Sequence, residues 1–183
     1  NETEINSILY EYDLSQNFPK EVIHEIDKIN SKIDQAEINK RKDIRKLTTF
    51  TIDPSDAKDF DDALSIDKNN DGFFNVGIHI ADVSHFFDKN SLINREAEKR
   101  ATSVYLVDRT IPMLPEKLSN YLCSLRPDSD RLTFSVMFDI NIEAQIKNIW
   151  IGKTIIHSEK RFTYEEAQKC IEEGENNFSK GLK

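Results

Sequence analysis

The sequence predicts a mixed α/β fold with a largely antiparallel sheet and flanking helices, and three features point to it. Phe74, Val76, Ile78 and Ile80 alternate with other residues at the period of a half-buried strand. Val22, Ile23, Ile26, Ile29 and Ile33 recur at spacings of three and four, the period of one helix face. Segments of the two kinds succeed one another with no internal repeat and no low-complexity tract, so strands and helices share one chain of 183 residues. With 38% hydrophobic and 9% aromatic residues, that chain can bury a single core of ordinary size.

Residues 1–17 are polar with scattered apolar positions (Ile5, Ile8, Leu9, Tyr10) and read as the tail of a preceding domain. Pro19 suits the first position of a helix, which the isoleucine spacing extends to about residue 33. The segment KRKDIRK, 40–46, has five basic residues in seven and reads first as a solvated linker or helix face. Residues 1–47 are thus expected to be linker and lead-in helix, and 48–183 to belong to the domain that follows. TTFTID is rich in β-branched residues and ends before Pro54, which makes Asp53 the last residue of a strand. ALSID and FFNVGIHIADV flank KNNDG, whose Asp71-Gly72 signals a hairpin. Ser91 can cap a helix running to about Arg100, and LPEKLSNYLCSL reads as a short helix after Pro115. TFSVMFDIN and QIKNIWIGKTIIH form two more strands joined near Glu143-Ala144. Thr163 and Glu166 make a T-x-x-E capping box for a last helix reaching about Glu173.

Composition removes several function classes. Cys123 and Cys170 follow no C-x-x-C pattern, which leaves a disulfide framework or cysteine zinc site unsupported and favours a reducing, cytoplasmic setting. No apolar run nears the roughly 20 residues of a membrane span, and the first residues lack the order of a signal peptide, so no membrane association is expected. The formal charge of −8 argues weakly against nucleic acid, since much of it can belong to one metal site. The start at Asn1 and the polar ending NNFSKGLK read as a piece of a longer protein.

TIDPSDAKDFDDALSI, 51–66, places Asp53, Asp56, Asp59, Asp61 and Asp62 within ten positions. Carboxylates that close repel one another, and such a group either takes up protons or gathers around cations. Oxygen-only ligation suits Mg²⁺, with Mn²⁺ as a substitute, above all where a substrate phosphate completes the shell. Asp53 at a strand end and Asp59, Asp61 and Asp62 after a turn can converge if residues 54–58 fold the chain back. Successive strand residues face opposite sides, so Asp61 and Asp62 require a loop or bulge. Asp56, within D-P-S-D, is the member best read as a turn residue. The competing reading of the whole cluster is an acidic surface turn.

Two further patterns carry less. DKNNDGFFNVGI matches a calcium loop at Asp67, Asn69, Asp71 and Gly72, but Ile78 stands where a bidentate glutamate is required and the flanks are strands. His79, Asp82 and His85 in HIADVSH have ligand chemistry, yet structural histidines with satisfied hydrogen bonds are the commoner case. No Ser-His-Asp arrangement and no glycine-rich phosphate loop is present.

Four segments in order, TIDPSDAKDFDDALSI, GIHIADVSHFF, TSVYLVDRTIPMLPEKLSNYLCSLRP and HSEKRFTYEEAQ, resemble the RNB catalytic domain of the ribonuclease II and ribonuclease R family, over about residues 48–170. The lead-in YDLSQNFPKEV resembles the linker that precedes that domain. The resemblance implies a processive 3′-to-5′ exoribonuclease that hydrolyses single-stranded RNA to nucleoside 5′-monophosphates with Mg²⁺, and no action on DNA. It carries the metal-site role to Asp53, Asp59, Asp61 and Asp62, with Asp61 and Asp62 at the chemistry, and an RNA-stacking role to Tyr105; from the residues alone Tyr105 could equally be a half-buried core tyrosine. The second half of the family's domain, with its phosphate-holding S-P-I-R-R-Y segment, is absent from the sequence, so the piece itself is expected to be inactive. The alternative is a non-catalytic RNA- or protein-binding module on the same scaffold. Four clustered carboxylates speak against it, because a scaffold freed from catalysis has no reason to keep them. A third reading, a calcium-binding interaction domain, rests on Asp67 to Asp71.

Overall fold

A computed structural model of the chain describes residues 2–69 and 71–173. In chain order the elements are α1 (Glu2–Glu11), α2 (Lys20–Asp27), α3 (Gln35–Ile38), β1 (Lys42–Asp43), β2 (Thr49–Asp53), β3 (Asp62–Lys68), β4 (Phe74–Ala81), a 3₁₀ turn (Val83–His85), α4 (Leu92–Arg100), β5 (Val104–Tyr105), β6 (Thr110–Ile111), a π-helical turn (Lys117–Leu122), β7 (Ser129–Ile140), β8 (Ile146–Ser158), β9 (Lys160–Thr163) and α5 (Tyr164–Glu173). The mixed α/β fold expected from the sequence is the one observed. Helix α2 is shorter than the isoleucine spacing predicts and ends at Asp27, so Ile29 and Ile33 lie outside it. Asn30 and Ser31, whose side chains compete for backbone hydrogen bonds, follow at once.

In space the chain forms two units, residues 1–31 with 83–119 and residues 32–82 with 120–183, a division unlike the one at residue 47 read along the sequence. In the first unit Val22 and Ile26 of α2 and Ile93 and Ala97 of α4 are buried. Ser91 caps α4 by accepting from the Asn94 N–H at 3.0 Å. Arg100 at the end of α4 ties the unit together. Its guanidinium lies 3.7 Å over the Phe18 ring, bonds to Glu96 at 2.8 Å, and donates to the carbonyls of Ser15, Asn17 and Pro112. Lys117 donates to the Ile26 and Asp27 carbonyls at the last turn of α2, where Ile26 also accepts from the Ile29 N–H at 3.0 Å.

The second unit is a seven-stranded sheet in the order β1-β8-β7-β4-β3-β2-β9. Neighbours are antiparallel except β1 with β8 and β2 with β9, which are parallel. The Asp67–Phe74 connection forms the expected hairpin, with Gly72 at φ 83°. The β7–β8 hairpin turns at Ala144 at φ 60°, as expected. Strands β8 and β9 occupy distant places in the sheet, yet only Glu159 separates them in sequence. The sheet must therefore curl until its ends meet, and β2 does approach β8, with the Glu159 N–H donating to the Thr49 carbonyl at 2.8 Å.

The inside of this curl is polar and dry. Thr49, Thr51, Ser65, His79, Thr133, Ser135 and Thr154 are all buried. His79 takes Ser135 Oγ through Nδ1 at 2.7 Å and Ser65 Oγ through Nε2 at 2.9 Å, and the hydroxyls of Thr133, Ser135 and Thr154 continue the chain of bonds into β8. The ring reaches Ser65 by passing over Gly77, where a Cβ would collide with both the Ser65 hydroxyl and the imidazole. Arg41 closes one end, pairing with Asp82 at 2.7 Å and with Glu37 at 2.7 Å and donating to the carbonyls of Thr133 and Thr154. Both Arg41 and Asp82 are buried, and each has a second counter-ion, Glu37 for Arg41 and Lys153 for Asp82. The alternating apolar residues face the other way and stay partly open, Ile80 at 49%, Phe134 at 46% and Ile151 at 59% exposure.

Burial pushes the His79 imidazole from 6.5 down to about 4. The unfolded chain therefore binds this proton at a higher pH than the fold does, and the stability present above pH 6.5 is lost as pH falls from there towards 4, by roughly 3 kcal/mol for the full shift. Histidine NMR should find this ring neutral down to about pH 4. In denaturation series, His79→Gln should lack that component of the acid dependence; an unchanged slope in the variant would contradict the assignment.

Candidate metal centre

Strand β2 carries Asp53 to the edge of the curl, where Pro54, with no N–H to give, ends the ladder. The chain turns there, the Ala57 N–H donating to the Pro54 carbonyl at 3.1 Å, and Asp56 lies exposed in this turn. The return segment carrying Asp59 is pinned by Ser124, whose hydroxyl donates to the Lys58 carbonyl at 2.8 Å and accepts from the Phe60 N–H at 3.1 Å. The Leu125 N–H adds a bond to the Phe60 carbonyl at 2.8 Å. Asp61 sits outside the strand, with its carbonyl accepting from the Ala81 N–H, and Asp62 is the first residue of β3, opposite Ile80. The loop expected before this pair is present, and it frees the two side chains from strict alternation.

The four aspartates act on one another electrically. Loss of water pushes the Asp53 carboxyl above its ordinary range, and the charges of Asp62 and Asp59 add to this. The Thr51 hydroxyl is near enough to offset part of the effect, but it makes no hydrogen bond of normal geometry. Asp61 keeps an exposed surface, yet crowding by protein and the charges of Asp59, Asp62 and Asp53 push its carboxyl up to about 6. Asp53 is buried, and its Oδ2 has no hydrogen-bond partner. Among the described residues, no three Asp, Glu, His or Cys side chains converge into a finished metal cage. The site is a set of hard oxygen donors in mutual repulsion with one buried, unsatisfied carboxylate oxygen. Both features suit a Mg²⁺ or Mn²⁺ ion that keeps several of its waters.

The other candidates separate from this site. His79 is a core histidine held by two serines, and Asp82 belongs to Arg41 and to Lys153 at 3.3 Å. His85 lies in the first unit with its ring edge-on to Phe86. Asp71 at the β3–β4 hairpin pairs with Lys147 at 2.8 Å, and strands flank it on both sides, unlike a calcium loop. Tyr105 is 65% exposed on the β5–β6 hairpin, so it is not a core residue. The basic segment is no linker but partly strand β1, and its cations are engaged: Arg41 as above, Lys42 over Trp150, and Arg45 with Asp43 and Asp130. Arg161 went unremarked in the sequence, yet it bonds to the Pro54 carbonyl, and its charge lowers the Asp53 carboxyl. Only the parallel pairing of β9 with β2 brings it there, and no local signal announces that pairing.

Known proteins resemble this chain in sequence and in fold. The family model of the RNB domain matches residues 41–182. Ribonuclease R 1 of Lactococcus lactis is 42% identical over 168 residues, 92% of this chain and 21% of the relative. A protein of Arabidopsis thaliana named inactive exonuclease DIS3L2 is 43% identical over 172 residues, 93% of this chain and 16% of its own. The solved structure of Mycoplasma genitalium RNase R in complex with ribose methylated single-stranded RNA superposes with a TM-score of 0.88 at 30% identity, covering 98% of this chain and 29% of that one. The chain thus spans about a fifth of the length of the curated relatives it matches. With the family match covering most of the sequence and the acidic loop inside it, this chain belongs to the RNB domain family.

Proposed function

We propose that the chain is the metal-bearing part of the catalytic domain of a processive 3′-to-5′ exoribonuclease, which hydrolyses single-stranded RNA to nucleoside 5′-monophosphates. The observation that carries the reading is the acidic loop, where the buried Asp53 oxygen lacks a partner and the carboxyls of Asp53 and Asp61 are raised by burial and by like charges. Asp53, Asp59, Asp61 and Asp62 would hold Mg²⁺, or Mn²⁺ in its place. Bound there, the cation supplies positive charge to the scissile phosphate and lowers the pKa of an attacking water. In the reaction water oxygen bonds to phosphorus, the bond from phosphorus to the 3′ oxygen breaks, and that oxygen leaves with a proton as the new 3′ hydroxyl. To this chemistry we assign Asp61 and Asp62, at the start of β3. Exposed Tyr105 offers a π-face on which a terminal base can stack whatever its identity, which suits a sequence-tolerant nuclease. Discrimination against DNA would come from contacts to the 2′ hydroxyl.

A second reading has a specific observation in its favour. A relative with as much identity as the ribonucleases carries the name of an inactive exonuclease. Identity alone does not separate the two, but the four carboxylates do favour catalysis, because without a cation their repulsion is all cost.

The test uses the full-length protein containing this chain, with 5′-labelled single-stranded RNA and Mg²⁺. Shortening from the 3′ end to a small end product is expected, with loss below detection in Asp62→Asn and no degradation by the 183-residue chain alone. Intact RNA in every lane despite binding would establish the non-catalytic reading. Metal affinity should also depend on pH in one direction. The raised Asp61 carboxyl must give up its proton before it ligates, so affinity should hold above about pH 6 and fall by roughly tenfold per unit below it. Titration calorimetry with Mn²⁺ at pH 7.5 and 5 would measure this, and equal affinities would remove Asp61 from the ligand set.

A further inference from the structure

Described residues of the chain leave five buried side-chain polar atoms without partners: Thr51 Oγ1, Asp53 Oδ2, Arg126 Nε, Ser158 Oγ and Arg161 Nε. Thr51, Asp53 and Arg161 form one group of them. Thr51 and Asp53 are two apart on β2 and so share a face, while Arg161 is the register partner of Thr51 on β9. In parallel pairing, register partners point the same way, which puts Arg161 on the face that Thr51 and Asp53 share, and its charge acts on the Asp53 carboxyl. From there the guanidinium donates through Nη2 to the Pro54 carbonyl and lies 5.5 Å over the Phe60 ring. Pro54 and Phe60 bracket the loop that carries Asp59, so one side chain touches both ends of it. Ser124 and Leu125 hold the same loop at Lys58 and Phe60.

Resting on the proposed cation site, we infer that Arg161 is its positioning residue. Through the Pro54 carbonyl and the Phe60 ring it fixes the turn between Asp53 and Asp59, and so sets where the carboxylates stand when a cation arrives. The planar guanidinium can lie over a ring while donating from a rigid fork, whereas an ammonium is a point charge on a flexible stem with no fixed donor geometry. Positioning and plain charge make opposite demands on affinity. A cation that only sits near carboxylates competes with the metal, and its removal should tighten binding. A cation that orients the ligands loosens binding when it is lost, as removal of residues supporting a metal's ligands commonly does, by roughly 10- to 100-fold.

The experiment measures Mn²⁺ affinity by electron paramagnetic resonance on the full-length protein, comparing wild type with Arg161→Met and Arg161→Lys, with melting curves in EDTA alongside. The inference expects affinity weakened by roughly tenfold or more in Arg161→Met and only part of it restored in Arg161→Lys. Tighter or unchanged binding in Arg161→Met overturns it. Should that variant not fold, Arg161→Lys decides alone: wild-type affinity means charge suffices and the positioning role is wrong. Absence of Mn²⁺ binding in the wild type, or binding unaffected by Asp62→Asn, sinks the cation site itself and the inference with it. In RNA cleavage, the Mg²⁺ concentration giving half-maximal rate should rise in Arg161→Lys more than the rate at saturating Mg²⁺ falls, a split that general loosening of the fold would not produce.

Discussion

Repulsion among carboxylates is the constraint to which the second unit answers. Burial, and then the charges of Asp59 and Asp62, raise the proton affinity of Asp53 and Asp61, and the loop that carries them would open if its backbone were free. It is not free. Ser124 and Leu125 hold it from one side and Arg161 from the other, while β3 and β2 anchor its ends in the sheet. The fold thus holds together an arrangement that electrostatics alone would disperse.

The polar interior of the curled sheet follows the same logic of fixed geometry. A core of leucines could pack with some slack, whereas a chain of hydroxyls through His79 needs each member within hydrogen-bond reach of the next. That arrangement locks β3, β4, β7 and β8 in register, and β3 is the strand that begins at Asp62. Gly77 is required because the histidine ring occupies the place of its missing side chain. The Arg41–Asp82 pair seals the end of the same network with a second directional contact.

Local signals were legible in the sequence wherever one segment decided the outcome. The capping box is present as read, with Thr163 N–H to Glu166 Oε2 at 2.8 Å and Glu166 N–H to Thr163 Oγ1 at 3.1 Å. Ser91 caps its helix, both hairpins turn where glycine or positive φ allowed, and Asp53 closes its strand before Pro54. The acidic loop stood out because five aspartates in ten positions need a cause. Nonlocal facts did not show. Alternation marked Phe74, Val76, Ile78 and Ile80 as one face, but periodicity is blind to which face is enclosed, and here the enclosed one holds His79 and Ser65. Helix α2 stops short of the isoleucine pattern, its last carbonyls accepting from the Lys28 and Ile29 N–H groups and from distant Lys117, which apolar spacing does not register. The engagement of KRKDIRK with Asp82, Trp150 and Asp130 likewise depends on residues far along the chain.

The parallel pairing of β2 with β9 has a consequence for the order of events in folding. Phe50 finds Lys160 and Asp53 finds Thr163 only after nearly all of the intervening chain exists, and closing so long a loop is among the slow steps of assembling a domain. The hairpins can form early from neighbours in sequence, but the strand bearing Asp53 has its outer edge covered last. During synthesis the carboxylates therefore emerge long before Arg161 arrives to restrain them. A nascent chain would carry the acidic loop before the contacts that hold its ends have formed.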